Sequence, residues 1–168
     1  MTTQSNFTTE EWALLLKAPY AAALAIMAAD PSGARGVINE TLAISEAWEE
    51  ANARSPKDAL VNALFLSLAT DEAIQAARND WDAIRLSRRS SPAAEENAAS
   101  GIERCRQAWA LAEQKASPEE AEAYRQLVMS VARTVASAAR EGRTGLFGPA
   151  ISAAEQAALE KIAAALGL

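Results

Sequence analysis

Residues 128–166, VMSVARTVASAAREGRTGLFGPAISAAEQAALEKIAAAL, decide the fold that the sequence predicts. In the first part of this stretch apolar and small residues recur at helical spacing, which is typical of a helix buried along one face. Gly142 is expected to be the left-handed cap residue that ends this helix. Ser152 and Glu155 have the spacing of a capping box, so a second helix is expected to begin there.

Helix start signals of the same kind recur along the rest of the chain. Thr8 with Glu11 has capping-box spacing, and the run at 117–120, SPEE, combines a cap, a first-turn proline and a box glutamate. Pro19 is expected to kink the first helix or to split it in two. Alternating β-branched runs, the signature of strands, are absent from the sequence. We therefore predict an all-α fold, a compact single-domain bundle of six to eight antiparallel helices.

The length and composition fit one globular domain. The chain has 168 residues, of which 50% are hydrophobic and 23% charged, so it can bury a substantial core. We assign residues 8–168 to a single helical domain and residues 1–7 to a disordered N-terminal tail. Residues 59–69, ALVNALFLSLA, are apolar on nearly every side and are predicted to form the central buried helix.

Charge and cysteine content restrict the classes of partner and the compartment. The net charge of −6 disfavours a nucleic-acid-binding protein, which would normally present a basic face. Cys105 is the single cysteine, so no intramolecular disulfide is possible, and we expect it to be a small buried hydrophobic residue. The N-terminus lacks the features of a signal peptide, and the apolar residues 13–29 are interrupted by Lys17 and Pro19. These observations predict a cytoplasmic protein without a transmembrane segment.

The chain contains no histidine, which excludes histidine-based catalytic triads and imidazole metal sites. Any metal would be a hard cation held by oxygen atoms, such as calcium or magnesium. The candidate ligands are Asp30 and Glu141, which follow alanine-rich helices, and Glu40 and Glu155, which follow isoleucine-led helix starts. Helix capping or solvent exposure would explain the same four residues, so both interpretations stay open.

The glycine-rich loop also contains two large apolar residues, Leu146 and Phe147. They either fold onto the core or form an exposed apolar tip that binds a partner. No pair of carboxylates is marked as a catalytic acid and base, so no catalytic or cofactor-binding residue is predicted.

Two segments near the ends of the chain resemble tellurite-resistance B-like (TerB-like) helical domains. That family carries twice an apolar helix ending in Ala-x-Ala-Asp-Gly, followed by a short loop and an Ile/Val-Ser-x-x-Glu helix start. Here the segments are MAADPSG at 27–33 with INE at 38–40, and ASAAREG at 136–142 with ISAAE at 151–155. The resemblance implies a pseudo-repeat of the two ends and acidic loops able to hold a divalent cation. It also implies a bacterial protein of stress response that assembles at membranes or with partner proteins.

Three hypotheses of function follow. The first is a non-enzymatic bacterial accessory or interaction domain that binds a protein partner or associates with itself. The second is a divalent-cation-binding domain that uses Asp30, Glu40, Glu141 and Glu155. The third is a carrier of a small apolar ligand, or an enzyme, with a pocket between helices.

Overall fold

The computed structural model describes residues 2–30, 33–54, 59–68, 91–141 and 151–168. Within these ranges the chain forms six α-helices and one short 3-10 turn, with no strand. The helices are α1 (Thr9–Ala29), α2 (Gly33–Arg54), α3 (Ala59–Ser67), α4 (Ser91–Lys115), α5 (Pro118–Glu141) and α6 (Ala153–Ala165). The prediction of an all-α single-domain bundle is confirmed, whereas the pseudo-repeat of its two ends stays a prediction.

The first helix, α1, shares the centre of the described bundle with α5, which contacts all five other helices. α1 contacts α2, α4, α5 and α6, and its most extensive contact is with α4. Small side chains make close packing possible, because a Cβ atom built on Gly101 of α4 would lie only 2.6 Å from the carbonyl oxygen of Ala21. The buried residues of α1 are Trp12, Leu15, Ala18, Pro19, Ala21, Ala22, Ala23, Ala25, Ile26 and Met27.

Residues 59–69 are predicted to form the central helix, but within the described residues α3 contacts fewer helices than α1 or α5. α3 packs on α2 and α5 through buried Leu60, Val61 and Leu64, while Leu66 is 63% exposed. An apolar composition on every side shows that a helix can be buried, but it does not show how many neighbours the helix has. Among the described helices, α1 and α5 therefore occupy the centre, and α3 packs mainly on two others, α2 and α5.

Pro19 does not split the first helix, since α1 runs continuously from Thr9 to Ala29. A proline within a helix removes the backbone N–H that would bond to the carbonyl four residues earlier, which here belongs to Leu15. The hydroxyl of Tyr124 donates to that carbonyl oxygen at 2.9 Å. A side chain from α5 thus supplies the hydrogen bond that the proline removes.

The predicted helix starts at Thr8, Ser117 and Ser152 are confirmed. In each, the side-chain oxygen accepts from the backbone N–H three residues later, at 3.2, 3.3 and 3.2 Å respectively. In return the glutamate at that position accepts the backbone N–H of the cap residue. The ring of Phe7 lies 5.5 Å from that of Trp12, as expected for a hydrophobic staple.

Residues 2–7, which we assign from sequence to a disordered tail, contain the 3-10 turn Gln4–Asn6 and contact α4 and α5; we call them the N-terminal strap. Thr2 is only 6% exposed, and its N–H and hydroxyl donate to the two carboxylate oxygens of Glu120 at 2.8 and 2.5 Å. Lys115 holds the other end, since its ammonium group donates to the carbonyl of Asn6 at 3.5 Å and lies over the ring of Phe7. The partners of the strap are more than a hundred residues away in sequence, so no local sequence pattern predicts these contacts.

Among the described helices, α1 alone is long and apolar enough to cross a membrane, with a mean hydropathy of 1.6 over its most apolar window. Of that window, 56% is buried inside the bundle. A core helix satisfies the same criterion of length and composition, so α1 is not a clear transmembrane segment.

Candidate functional site

The four carboxylates predicted to hold a cation are only partly described. Asp30 is the residue that ends α1, and Glu155 lies in the first turn of α6. Glu40 lies in α2 and Glu141 is the last residue of α5, but their side chains are outside the described part of the chain. Among the side chains that the structure does describe, no three acidic or cysteine residues are grouped so as to hold a metal ion. The cation site therefore stays a prediction.

Glu155 has an assigned structural role. It is buried, and its carboxylate accepts the backbone N–H of Ser152 at 2.7 Å. The capping interpretation of this residue is thus correct, and any role as a cation ligand would have to coexist with that hydrogen bond. Leu146 and Phe147, the predicted partner-binding residues, lie outside the described residues.

The buried side chains best suited to chemistry are Tyr124 and Cys105, and both face α1. The Cys105 thiol lies 3.6 Å from the carbonyl oxygen of Ala18, and Tyr124 is bonded to that of Leu15. Burial raises the pKa of Cys105 to about 12, and burial together with the nearby Cys105 raises the pKa of Tyr124 well above its usual value. Both groups therefore stay protonated at neutral pH, and the thiol is neither a nucleophile nor a metal ligand there.

The buried carboxylate of Glu120 is also committed to structure. Burial acts to raise its pKa, but the Thr2 hydroxyl, the Thr2 N–H and the Ser117 N–H all donate to the ionised form, and the net effect is a lowered pKa. A carboxylate with a lowered pKa is not a general acid near neutral pH. Its role is to hold the strap and to cap α5.

Two polar side-chain atoms are buried without a hydrogen-bond partner within the described residues, Nε1 of Trp48 and Nε of Arg125. The Trp48 ring lies 6.3 Å from that of Tyr20, and the Arg125 guanidinium lies 4.9 Å from the ring of Trp109. The Trp48 ring therefore packs near another aromatic ring, and the Arg125 guanidinium makes a cation–π contact. The sequence analysis did not predict either contact.

Two of the three large apolar side chains that are exposed in the described residues lie on neighbouring helices, α2 and α3. Leu42 of α2 is 58% exposed and Leu66 of α3 is 63% exposed. On α2 the exposed Glu46 and Glu49 follow Leu42 by four and seven residues, so they lie on the same side of the helix. We call these four residues, Leu42, Glu46, Glu49 and Leu66, the α2–α3 outer surface. The sequence analysis missed it, because Leu66 belongs to residues 59–69, which were predicted to form a buried helix.

Comparison of the chain with protein-family models, curated proteins and solved structures gives no match. The TerB-like resemblance therefore rests on the two sequence segments alone, and it stays a prediction.

Proposed function

We propose that this chain is a non-enzymatic helical protein that acts by binding a partner protein or a second copy of itself. The observation that supports the proposal best is the outer side of α3, a helix without any charged residue whose Leu66 is 63% exposed. Keeping a large apolar side chain in water forgoes about 1.5–3 kcal/mol of burial free energy. A partner that covers this side chain would recover that free energy.

The non-enzymatic part of the proposal is supported by the roles of the buried ionisable groups. Tyr124 completes the hydrogen bonding of α1, Glu120 binds the strap, and Glu155 caps α6. Each is used in a contact that stabilises the fold. The proposed location is the cytoplasm, which fits a single cysteine that is buried and protonated.

Light scattering coupled to size-exclusion chromatography tests the proposal, with Leu66→Ser and Leu42→Ser as the variants. Leu168→Ser is the matched control, because Leu168 is 60% exposed but lies at the other end of the chain. If a second copy binds, the wild type and the control associate as concentration rises, whereas Leu66→Ser shifts towards the monomer. If a different protein binds, the wild-type chain is monomeric, and a partner isolated with it binds Leu66→Ser more weakly than the control. Equal behaviour of all variants in both assays would refute the role of this surface.

A further inference from the structure

Resting on the proposed function, we infer that the α2–α3 outer surface binds a basic amphipathic helix. The apolar side of that partner would cover α3, and its Lys and Arg side chains would face the glutamates of α2. Charge complementarity between these two regions and the partner carries the inference.

The first component is the uncharged outer side of α3. Its sequence, ALVNALFLS, contains no ionisable side chain. Leu66 is exposed, and Ala63 and Phe65 beside it are half-buried. Asn62 and Ser67 are the polar side chains of this helix and neither is charged, so the contact residues of a partner are expected to be largely apolar.

The second component is the acidic outer side of α2. Glu46 and Glu49 are exposed, and neither forms an ion pair with any residue in the described ranges. The next glutamate, Glu50, is already paired with Arg54 at 2.5 Å. Between Leu42 and Ala53 the helix has no basic residue, so the field at this side is negative.

The two components lie on helices that contact each other. α2 contacts α3, and the side-chain amide of Asn62 donates to that of Asn52 at 3.1 Å. The apolar side of α3 and the acidic side of α2 are therefore presented by neighbouring helices. A helix that is apolar on one side and basic along its flank matches both at once.

The same charges argue against a second copy as the occupant. Two copies meeting through identical surfaces would bring the glutamates of one α2 towards those of the other. Each chain also has a net charge of −6, which adds long-range repulsion. A basic partner would instead be attracted over the same distance, and its association would be faster at low salt.

Fluorescence anisotropy with two labelled synthetic peptides tests the inference. One peptide is an amphipathic helix of leucine and lysine, and the other replaces every lysine by glutamate. We expect only the lysine peptide to bind the wild-type chain, with affinity that falls as salt is added. Glu46→Gln with Glu49→Gln should weaken binding about three- to tenfold, the range for two exposed ion pairs.

Glu113→Gln with Glu119→Gln is the matched control, since both residues are exposed carboxylates on α4 and α5. This control removes the same net charge but should change binding less than the α2 pair. Leu66→Ser should weaken binding of the lysine peptide by about tenfold or more, because it removes the apolar contact. Equal losses in the two glutamate pairs, or equal binding of both peptides, would overturn the inference.

The outcome also separates this inference from the proposed function. If neither peptide binds but Leu66→Ser disrupts self-association, the interaction function stands and the basic partner is wrong. If neither peptide binds and Leu66→Ser has no effect on any association, both proposals fail.

Discussion

Tyr124 on α5 donates its hydroxyl proton to the carbonyl oxygen of Leu15 on α1, across a distance of 2.9 Å. This carbonyl is the one that Pro19 deprives of its helical partner. Both groups are buried, so without Tyr124 the oxygen would be shielded from water as well as from the backbone. The contact explains how α1 tolerates a proline at its midpoint.

Replacing Tyr124 by phenylalanine should destabilise the fold by about 1–3 kcal/mol, the cost of leaving a buried acceptor unpaired. The cost should be smaller in a Pro19→Ala background, where the substitution restores a backbone N–H that can serve the same carbonyl. Urea unfolding of the wild type, both single variants and the double variant gives the coupling free energy. Equal costs of Tyr124→Phe in both backgrounds would show that the hydroxyl does not compensate for the proline.

Gly101→Ala should destabilise the protein although alanine favours helices. The intrinsic preference for alanine over glycine within a helix is about 1 kcal/mol. The added Cβ would lie 2.6 Å from the carbonyl oxygen of Ala21, and backbone cannot move away as a flexible side chain can. Forcing the helices apart costs about 1–3 kcal/mol, so the net change should be unfavourable.

The neighbouring exposed residue provides the control for this substitution. Ser100→Ala lies on the same turn of α4 but faces solvent, so chemical denaturation should find it neutral or slightly stabilising. A stabilised Gly101→Ala variant would contradict the close approach of α1 and α4.

Cys105 should be inert to a thiol-reactive disulfide reagent in the folded protein and reactive in denaturant. Burial raises the pKa of its thiol to about 12, whereas an unfolded cysteine titrates at about 8.5. Because only the unfolded state ionises between these values, the stability from the buried thiol is complete below about pH 8.5 and declines as pH rises. Cys105→Ala should have a flatter stability profile between about pH 8.5 and 10 than the wild type. If the two proteins have the same dependence of stability on pH, or if Cys105 is labelled rapidly under native conditions, its thiol is not buried.

Glu120→Gln should loosen the N-terminal strap while preserving the start of α5. Glutamine can serve in a capping box, but its amide offers one acceptor oxygen where the carboxylate offers two. Amide hydrogen exchange should therefore increase in the strap and stay unchanged within α5. Glu119→Gln, on the exposed side of the same turn, should leave both unchanged.

Acidification should release the strap in the wild type. The pKa of Glu120 is lowered in the folded protein, so its contribution to stability is present above the usual glutamate value of about 4.3. It is lost as pH falls through the lowered value, where Thr2 loses an ionised acceptor. A protection factor of the strap amides that does not change with pH in this range would indicate that Glu120 is not the anchor.

The predicted cation site is tested by thermal unfolding with calcium, with magnesium and with a chelator. An ion that binds only the folded state must raise the melting temperature. If Asp30, Glu40, Glu141 and Glu155 bind the ion together, the increase disappears in a Glu141→Gln, Glu155→Gln variant. Glutamine at 155 can still cap α6, so loss of the shift would report on the ion rather than on folding. No shift with either ion would remove the prediction.

Local signals in the sequence were sufficient to predict where three of the helices begin. Thr8, Ser117 and Ser152 each contact a glutamate only three residues away, so the pattern and the contact coincide. The burial of Cys105 followed in the same way from helical spacing. The strap could not be predicted from the sequence, because Thr2 and Glu120 are separated by 118 residues and neither belongs to a periodic pattern.

Which helices pack against each other could likewise not be predicted from the sequence. Residues 13–29 and 59–69 are similarly apolar, yet among the described helices α1 contacts four others, whereas α3 packs mainly on two. Periodicity reports how much of a helix prefers to leave water, whereas the number of packing partners depends on the whole topology. The α2–α3 outer surface was missed for that reason.

The central position of α1 has a consequence for biosynthesis. The helices that cover it most, α4 and α5, lie at residues 91–141, so they leave the ribosome well after residues 9–29. At about 5–20 residues per second, the apolar α1 waits on the order of ten seconds for these neighbours. During that interval an apolar segment of membrane-spanning length is exposed on the nascent chain. We therefore expect α1 to be the segment most open to factors that bind apolar nascent chains, until α4 and α5 cover it.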